Sequence, residues 1–513
     1  MTPMPDRDGG AGFVSIVGAG PGDPGLLTVR GRRAIERADV VLYDHLASPA
    51  LLSSVEVAGQ ERVHVGKMGG GRSVEQGALN DLVVKRAKSG QRVVRLKGGD
   101  PFVLGRGGEE ALALAEAGVA FEIIPGVTSA VAAASFAGIP ITHRGLATGF
   151  AVVTGRGRAG DPDVDWSALA SGETTAVVLM GVKTVATWTA KLMAAGRAPQ
   201  TPVAFVRWAS LPSQRTLITT LERAAEDVTK HGMSAPAVAV VGDVVDLHQT
   251  LAWREQKPLF GCVLGVTHDR AEDLAAFEPL TDLGAVVLHL PLTCKGPTLQ
   301  APVLAERIVA DAYTDLVFTS ANGVRAYRRA LTSSGLDVRH LAGKTTWAVG
   351  PGTARAMGAV LALNADQIPT IASGEGLLAH AKAIGVEGRR FLFPAAVGAR
   401  RVVPDGLAAL GADIDEVAVY ETRPDPAAPA RIETAFEQGL NMLTVASPSG
   451  VRALASALEQ LDIPRDRVSL AAIGPTTRAA AVSAGFRVTV VPHQSSYPDL
   501  AAAIVLAARA GTL

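Results

Sequence analysis

Short apolar runs rich in β-branched residues alternate with helical patterns along the first half of the chain. The runs cover residues 14–17, 40–43, 63–65, 93–96 and 121–124. Strands of this kind, separated by helices, predict a parallel sheet covered by helices. After the first run, Thr28 is placed to cap a helix whose apolar positions Ala34, Ile35 and Ala38 fall on one face. The pattern therefore predicts an α/β fold.

A second set of apolar runs follows at residues 151–153, 175–179, 203–206 and 238–241. We expect these strands to form a second lobe, with the boundary between the lobes near residue 145. The segment TLAWREQKPLFG at 250–261 then breaks the periodicity with polar residues and a proline, before a new strand begins at Cys262. The sequence therefore predicts a linker over residues 251–261.

Beyond this junction the chain repeats its own motifs. TSANGVRA at 319–326 matches ASPSGVRA at 446–453, and VGPGTAR at 349–355 matches IGPTTRA at 473–479. The two pairs have nearly equal offsets of 127 and 124 residues, as expected if one lobe had been duplicated. Two similar α/β lobes that face a cleft would follow.

The composition excludes several classes of partner. The 513 residues carry 49 basic and 49 acidic side chains, so no overall charge attracts the chain to nucleic acid or to a membrane. The uncharged stretch 123–142 has the length of a membrane span, but two prolines and two glycines interrupt it, and a buried helix is expected instead. Residues 1–13 lack the pattern of a secretory signal and predict a short disordered tail.

The cysteines indicate the redox compartment of the protein. The two cysteines, Cys262 and Cys294, fit neither a disulfide framework nor a metal-ligand cluster. We therefore expect a reduced, cytoplasmic protein that binds no metal.

Three glycine-rich loops follow predicted strands in the first half. They are GAGPGDPG at 18–25, KGGDPF at 97–102 and PGVTSA at 125–130. Glycines let a backbone approach a ligand closely, and Asp100 lies at the carboxyl end of a strand, where open α/β sheets bind ligands. Backbone carbonyls and one carboxylate suit a cationic ligand such as S-adenosylmethionine, and Thr128 and Ser129 offer hydroxyls to its amino-acid end.

Each loop alone also has a simpler interpretation. Thr128 alone would be a helix N-cap, and Asp100 alone would be a turn residue. A glycine-rich loop after a strand, with Asp44 at the end of the second strand, also occurs in dinucleotide-binding proteins. The spacing G-x-G-x-G with two prolines differs from their G-x-G-x-x-G, so an NAD-dependent dehydrogenase is the less favoured alternative.

Together, the three loops resemble the tetrapyrrole methylase family, most closely the uroporphyrinogen-III C-methyltransferases. The resemblance covers about residues 14–250 and extends through ADVVLYD at 38–44 and GIPITHR at 138–144. It implies two lobes, about 14–145 and 146–250, a homodimer through this half, and S-adenosyl-L-methionine as methyl donor. The residues implied to line the donor pocket are Pro21, Gly98, Gly99, Asp100, Val103, Thr128, Ser129, Met180, Ala209 and Ala237.

The same resemblance gives Asp44 and Lys67 a catalytic role, because they match positions proposed to handle protons in the family. The alternatives are a strand-end acid and a solvated lysine. Arginines are candidate clamps for the carboxylates of a tetrapyrrole, although each is equally expected as a surface charge; they are Arg106, Arg144, Arg156 and Arg158. The chain departs from the family at Leu104, at Leu179, and in VRWASLPSQR at 206–215, which lacks the usual Gly-Thr before Gln-Arg.

The second half resembles the uroporphyrinogen-III synthase family over residues 262–513, on TSANGVRA, VGPGTA, VYET at 419–422, SPSGVRA and IGPTTRAAA. The resemblance implies a lobe at 296–423 inserted into an outer lobe at 262–295 and 424–513, with Tyr420 assisting hydroxyl loss. Six hydroxyl or amide side chains after strands could bind substrate carboxylates beside helix amides, although simple capping explains each as well. They are Ser320, Asn322, Ser447, Ser449, Thr476 and Thr477.

The two resemblances imply one bifunctional enzyme, because the product of the synthase is the substrate of the methyltransferase. It would close hydroxymethylbilane to uroporphyrinogen III and methylate that product twice to precorrin-2, feeding sirohaem or cobalamin synthesis. Its partners would be small-molecule tetrapyrroles. The alternative is a methylase of a later corrin intermediate with a non-catalytic, tetrapyrrole-binding second half.

Overall fold

The computed structural model describes residues 12–47, 49–55, 57–68, 72–73, 75–157, 163–170, 172–269, 271–298 and 300–513. Over these residues the chain forms four five-stranded sheets, a two-stranded hairpin and eighteen α-helices. The predicted α/β fold is confirmed. Residues 1–11 of the predicted tail lie outside the described residues, and Phe13 already belongs to the first strand.

The first sheet is parallel throughout, with strand order β3-β2-β6-β1-β7. The strands of this region, including the hairpin β4–β5, are β1 (Phe13–Gly18), β2 (Val40–Tyr43), β3 (Glu61–His64), β4 (Lys67–Met68), β5 (Arg72–Ser73), β6 (Arg92–Lys97) and β7 (Ala120–Ile124). Its helices are α1 (Val29–Arg37), α2 (Pro49–Ser54), α3 (Gln76–Lys88), α4 (Gly107–Glu116) and α5 (Ser129–Phe136). The five predicted runs are the five strands of this sheet.

Local signals place the helices that cover this sheet. Thr28 caps α1 as predicted, because its hydroxyl accepts a hydrogen bond from the Gly31 amide at 3.1 Å, and Ala34 and Ile35 are buried. The uncharged stretch predicted as a buried helix contains α5, whose alanines at 130 and 132–134 are buried. In the described part of the chain, no helix is long and apolar enough to cross a membrane.

The second sheet is mixed, with order β11-β10-β12-β9-β8. Its strands are β8 (Gly149–Thr154), β9 (Thr174–Leu179), β10 (Pro202–Arg207), β11 (Arg215–Thr220) and β12 (Ala237–Val241), with helices α6 (Val185–Ala194), α7 (Ala224–Lys230) and α8 (His248–Leu251). β8 and β9 are parallel and the other pairs are antiparallel. The edge strand β11 was not predicted, because its sequence RTLITT carries no continuous apolar run. Thr219 is its one buried residue, and the others are partly buried or exposed.

Ten strands build the second half: β13 (Val263–Val266), β14 (Val286–His289), β15 (Thr293–Pro297), β16 (Asp315–Phe318), β17 (Thr345–Ala348), β18 (Arg390–Ala396), β19 (Asp413–Pro424), β20 (Met442–Val445), β21 (Ser469–Ala472) and β22 (Arg487–Val490). The third sheet has order β14-β13-β20-β21-β22 and is parallel. The fourth has order β15-β19-β18-β16-β17. All strands of the fourth sheet come from residues 293–424, between the second and third strands of the third sheet along the chain.

Ten helices cover these two sheets: α9 (Glu278–Asp282), α10 (Ala301–Ala310), α11 (Ala321–Ser333), α12 (Pro351–Leu361), α13 (Gly374–Ile384), α14 (Val402–Ala409), α15 (Ala428–Glu437), α16 (Pro448–Gln460), α17 (Pro475–Ser483) and α18 (Tyr497–Arg509). The repeated sequence motifs occupy equivalent positions. TSANGVRA joins β16 to α11 and ASPSGVRA joins β20 to α16, while the two Gly-Pro motifs join β17 to α12 and β21 to α17.

Candidate functional site

The first two glycine-rich loops are joined by their backbones at one edge of the first sheet. Because β1, β6 and β7 run parallel, the three loops that follow them leave the sheet at the same edge. The Gly20 amide donates to the Gly99 carbonyl (3.1 Å), and the Gly99 amide donates to the Gly20 carbonyl (2.8 Å). The first and second loops are therefore held together by a pair of backbone hydrogen bonds near their starts.

Gly126 of the third loop packs against both of the others. A Cβ atom at Gly126 would lie 2.3 Å from the carbonyl oxygen of Gly99 and 2.8 Å from the Cα of Gly18. A Cβ at Gly18 would in turn lie 2.5 Å from the amide nitrogen of Gly126. This close approach permits no side chain and explains the glycines at positions 18 and 126, whereas Gly99 of the second motif has a φ of +68°, which favours glycine.

Asp100 ties the second loop to the third. One carboxylate oxygen accepts from the Phe102 amide at 2.8 Å, and the other accepts from the Gly126 amide at 3.0 Å. The turn interpretation of Asp100 is therefore correct, but it is incomplete because the second bond spans 26 residues. A carboxylate keeps further lone pairs after two such bonds, so Asp100 also remains able to face a cation.

The other predicted donor residues of this lobe surround the same junction. Thr128 caps α5, its hydroxyl accepting from the Ala130 amide at 3.3 Å, and Ser129 is the first residue of that helix. A Cβ on Gly99 would lie 3.5 Å from the Ser129 amide, so the helix start faces the second loop. Pro21 and Val103 are partly exposed in the first and second loops.

Met180, Ala209 and Ala237 lie at one edge of the second sheet. β9 and β10 run in the same direction, with β12 antiparallel between them. Met180 follows the end of β9, Ala209 lies two residues after β10, and Ala237 begins β12, directly opposite Arg207. The structure thus brings these three predicted residues together, although they are far apart in the sequence.

Strained backbone marks the same region. Eight described residues other than glycine have a positive φ, and five of them are Leu104, Arg106, Met180, Trp208 and Ser210. A left-handed conformation is unfavourable for these side chains, and such residues concentrate at functional sites. Met180 is also 52% exposed, so its side chain is accessible at this edge.

The two edges contact each other through the first loop. The Asp23 amide donates to the Ser210 hydroxyl at 3.1 Å, and a Cβ on Gly22 would lie 3.0 Å from the Leu211 side chain. The first loop therefore joins the second sheet at the segment that contains Ala209. The residues predicted to hold the methyl donor come from both edges, and this contact links them.

Asp44 lies at the end of β2, on the same edge as the three loops. Its carboxylate accepts from the Leu46 amide at 3.0 Å and lies 3.5 Å from a guanidinium nitrogen of Arg95. A Cβ on Gly98 would lie 2.5 Å from the Cβ of Leu46, so the glycine lets the Asp44 loop approach the second loop. Lys67 begins β4, and its side chain lies outside the described part of the structure.

In the second half, Tyr420 meets one of the predicted substrate residues. Its hydroxyl is 2.9 Å from the Ser320 hydroxyl, and the Tyr420 ring is only 8% exposed in the core of the fourth sheet. Ser320 caps α11 and accepts from the Gly323 amide at 3.1 Å. The pair joins β19 to the start of α11, although the two residues are 100 positions apart.

The other predicted hydroxyls occupy helix starts. Ser447 caps α16, accepting from the Gly450 amide at 3.1 Å, and its hydroxyl lies 2.9 Å from that of Ser449. Asn322 accepts from Arg325 at 3.2 Å within the first turn of α11. Thr476 is exposed in the first turn of α17, whereas Thr477 is 4% exposed and packs inward. The capping interpretation thus holds for Ser320 and Ser447, and binding stays a prediction.

Comparison with known proteins divides the chain into two parts, and the junction between the second and third sheets falls in the gap between them. A family model for tetrapyrrole (corrin/porphyrin) methylases matches residues 14–225, and a model for uroporphyrinogen-III synthase HemD matches residues 275–502. The porphyrin biosynthesis protein HemD of Ruminiclostridium josui is 34% identical over 485 residues, which cover 93% of this chain and 95% of that protein. The chain belongs to the tetrapyrrole methylase family in its first half and to the uroporphyrinogen-III synthase family in its second.

Two further similarities concern the methylase half. The uroporphyrinogen-III C-methyltransferase of Bacillus subtilis is 42% identical over 337 residues, covering 65% of this chain and 68% of that protein. A crystal structure of the uroporphyrin-III C-methyl transferase of Thermus thermophilus, complexed with S-adenyl homocysteine, is 43% identical, with a TM-score of 0.40, and covers 46% of this chain and 93% of that one. The chain spans about half the length of the siroheme synthases that it matches. Its two halves make it a bifunctional tetrapyrrole biosynthesis enzyme.

A buried group of charges behind Asp44 in the methylase half was not predicted. Arg95 contacts Glu110 at 3.4 Å, and Lys97 contacts the same Glu110 oxygen at 2.8 Å. All three are buried, and burial, together with the neighbouring Arg95 charge, lowers the pKa of Lys97. Charged residues in the otherwise apolar run VVRLK were the available signal, because a buried charge requires a partner.

The candidate arginine clamps of the methylase half remain unassigned. Arg106 pairs with Glu109 at 2.6 Å, while Arg144 and Arg156 are exposed, and Arg158 lies outside the described residues. Within the described ranges, no group of three or more His, Cys, Asp or Glu side chains is arranged to hold a metal ion.

Proposed function

We propose that the methylase half transfers two methyl groups from S-adenosyl-L-methionine to uroporphyrinogen III, giving precorrin-2. We further propose that the synthase half supplies this substrate by closing hydroxymethylbilane with inversion of its last ring. The product would enter sirohaem or cobalamin synthesis. The observation that carries the proposal is the junction of three glycine loops around Asp100. A relative named uroporphyrinogen-III C-methyltransferase and a family model for uroporphyrinogen-III synthase support it.

The residues at this junction fit a sulfonium donor. The glycines expose peptide carbonyls and amides without side chains in the way, and the Asp100 carboxylate supplies the one negative group that the positive donor needs. The donor supplies an activated methyl group, whose departure leaves a neutral thioether. Pro21, Gly98, Gly99, Val103, Thr128 and Ser129 from the first lobe, and Met180, Ala209 and Ala237 from the second, would hold it.

Alignment is the main catalytic task of this half, because a sulfonium methyl needs no acid to leave. The protein must hold an electron-rich pyrrole carbon in line with the methyl group. Asp44, on the same sheet edge, is partly exposed. It would accept the proton that the macrocycle loses elsewhere after the methyl group is added, or stabilise the iminium that develops when the pyrrole carbon attacks. Arg95, 3.5 Å from the Asp44 carboxylate, would hold that carboxylate in its orientation. Lys67 is proposed as its partner in proton handling.

In the synthase half, the hydroxyl pair supports a role in hydroxyl loss. The Gly323 amide donates to the Ser320 oxygen, which leaves the Ser320 hydroxyl free to donate to Tyr420. The Tyr420 hydroxyl then has its proton available for the departing hydroxide of hydroxymethylbilane. Helix-start amides beside Asn322, Ser447, Ser449, Thr476 and Thr477 would bind substrate carboxylates.

A coupled assay tests both halves at once. Hydroxymethylbilane is incubated with the full chain, with and without S-adenosylmethionine, and the products are resolved by isomer and by methyl count. We expect uroporphyrinogen III without the donor and dimethylated product with it. Type I isomer alone would refute the synthase assignment, and unmethylated type III product in the presence of donor would refute the methylase assignment.

Two further expectations accompany the proposal. The methylase half would form a homodimer, which light scattering on the full chain would detect as a doubled mass. The protein would work in the cytoplasm, which fractionation of the producing cell would test.

A further inference from the structure

The segment that joins the two halves makes specific contacts with the methylase half. It was predicted as a linker, yet the Trp253 indole donates to the Ser135 carbonyl at 3.0 Å and its ring packs against Phe136 at 5.7 Å. At its other end, Leu259 is buried in a core of the third sheet, and its amide donates to the Leu283 carbonyl at 2.9 Å. The segment is therefore anchored to both halves.

Arg254 in this segment contacts the loop that flanks Ala209. Its guanidinium donates to the Ser210 carbonyl at 2.9 Å and lies over the Phe136 ring at 5.2 Å. Burial lowers the pKa of the Arg254 guanidinium, and the carboxylates of Asp23 and Glu255 oppose that shift. Asp23 belongs to the first glycine-rich loop, so the charge of Arg254 acts on that loop as well as on Ser210.

Glu255 completes the same arrangement from the other side. Its carboxylate accepts from the Gln214 amide group at 2.7 Å and from the Thr216 hydroxyl at 2.6 Å. Gln214 in turn accepts from the Ser210 amide at 3.0 Å. Ser210 and Gln214 are both buried. The junction segment gives the Ser210 carbonyl its donor and gives the Gln214 amide group a second acceptor beside the Phe136 carbonyl.

These contacts hold a strained segment in place. Trp208 and Ser210 have φ values of 50° and 73°, which are unfavourable for residues with a side chain. Residues in such conformations persist only where the surroundings fix them. Between them lies Ala209, and the Ser210 hydroxyl receives the Asp23 amide of the first loop. A relaxation of this segment would move both walls of the proposed donor pocket.

We infer that Arg254 and Glu255 are positioning residues for the methyl-donor site. They act through Ser210 and Gln214, which set the position of Ala209 and of the first loop, and they touch no reacting atom themselves. This inference rests on the proposed function of the methylase half. It extends the methylase site beyond residues 14–225 and into the segment that leads to the synthase half.

The test measures the affinity of the full chain for S-adenosylhomocysteine by titration calorimetry, with the circular dichroism spectrum and the thermal unfolding curve of each variant as checks of folding. Arg254→Ala and Glu255→Ala should each raise the dissociation constant about tenfold or more, with unchanged stoichiometry. Arg254→Lys and Glu255→Gln should restore part of the affinity, because each keeps some of the hydrogen bonds. Gln256→Ala is the matched control, since Gln256 is an exposed neighbour, and it should bind normally.

The outcomes separate the possible explanations. Dissociation constants within twofold of the unmodified chain for both alanine variants would overturn the inference. So would a lower stoichiometry with unchanged affinity, which indicates partial misfolding rather than a displaced site. If the alanine variants do not fold, Arg254→Lys and Glu255→Gln provide the test instead. Normal affinity in both of these variants would overturn the inference. An unmodified chain that does not bind the probe would instead refute the methylase function itself.

Discussion

Replacing Gly126 by alanine tests the central steric claim with one methyl group. The added Cβ would lie 2.3 Å from the Gly99 carbonyl oxygen, whereas ordinary contact begins at 3.4 Å. The loops must therefore separate by about 1 Å at the point where all three motifs meet. Every close neighbour of the new atom is backbone, belonging to Gly18 and Gly99, so no flexible side chain can move aside.

The expected effect follows from that displacement. A misplacement of about 1 Å in a positioned site reduces activity about a hundredfold, and overpacking destabilises a protein by about 1–3 kcal/mol. Gly126→Ala should thus weaken S-adenosylhomocysteine binding about a hundredfold and reduce methylation to a similar degree. Synthase activity should remain, because its two sheets have separate cores.

Calorimetry with S-adenosylhomocysteine and methyl-transfer rates provide the measurements. Gly77→Ala is the control, since a Cβ at Gly77, on the exposed start of α3, would meet no atom within 4 Å. It should bind the probe as the unmodified chain does. Normal donor affinity in Gly126→Ala would show that the junction of the three loops is not part of the donor site, and the steric reasoning would fail.

Three further predictions concern single side chains. Asp100→Asn should weaken donor binding about tenfold to a hundredfold, because one of the two amides it now accepts from would face an NH₂ group; unchanged calorimetric affinity would contradict this. Tyr420→Phe should shift the product from hydroxymethylbilane towards the type I isomer, as chromatography would show, while Tyr313→Phe, which breaks only the buried Tyr313–Tyr327 pair, should keep the type III product; equal isomer ratios in both variants would argue against Tyr420. Burial raises the pKa of the Cys262 thiol from 9.0 to about 11, so only about 1% should be thiolate at pH 9. In a Cys294→Ser background, the rate of Cys262 alkylation should therefore rise with pH towards a midpoint near 11. A midpoint near 9 would disprove the burial effect.

The fold of the first half was readable from the sequence because its signals are local. Five apolar runs became the five strands of the first sheet, and Thr28 capped α1, since each depends on residues within a few positions. The glycine loops were equally visible, because a missing Cβ is a property of the residue itself. β11 escaped notice because an edge strand with one exposed face carries little apolar signal.

Contacts that span the chain were the part that could not be predicted. Arg95 of β6 meets Glu110 of α4 through tertiary packing, and Arg254 meets Ser210, a residue 44 positions earlier in the chain. Periodicity described residues 250–261 as a break. In the structure α8 extends to Leu251, and the break in the pattern carried no information about the tertiary contacts of the residues that follow. Nothing in the spacing of Thr476 and Thr477 distinguished the exposed hydroxyl from the buried one.

The interrupted third sheet has a consequence for how the nascent chain folds on the ribosome. β13 pairs with β20 through Leu264 and Met442, two positions 178 residues apart. At a synthesis rate of about 5–20 residues per second, the first of these strands waits roughly 10–35 seconds for its neighbour to emerge. During that interval one side of β13 presents unpaired amides and carbonyls, and all strands of the intervening sheet, residues 293–424, are synthesised before β20. The folded intervening sheet brings β20 close to β13 once β20 has been made. A mutation that slows the folding of that sheet should therefore prolong the exposure beyond the synthesis time and increase aggregation during translation, even when the finished enzyme is stable.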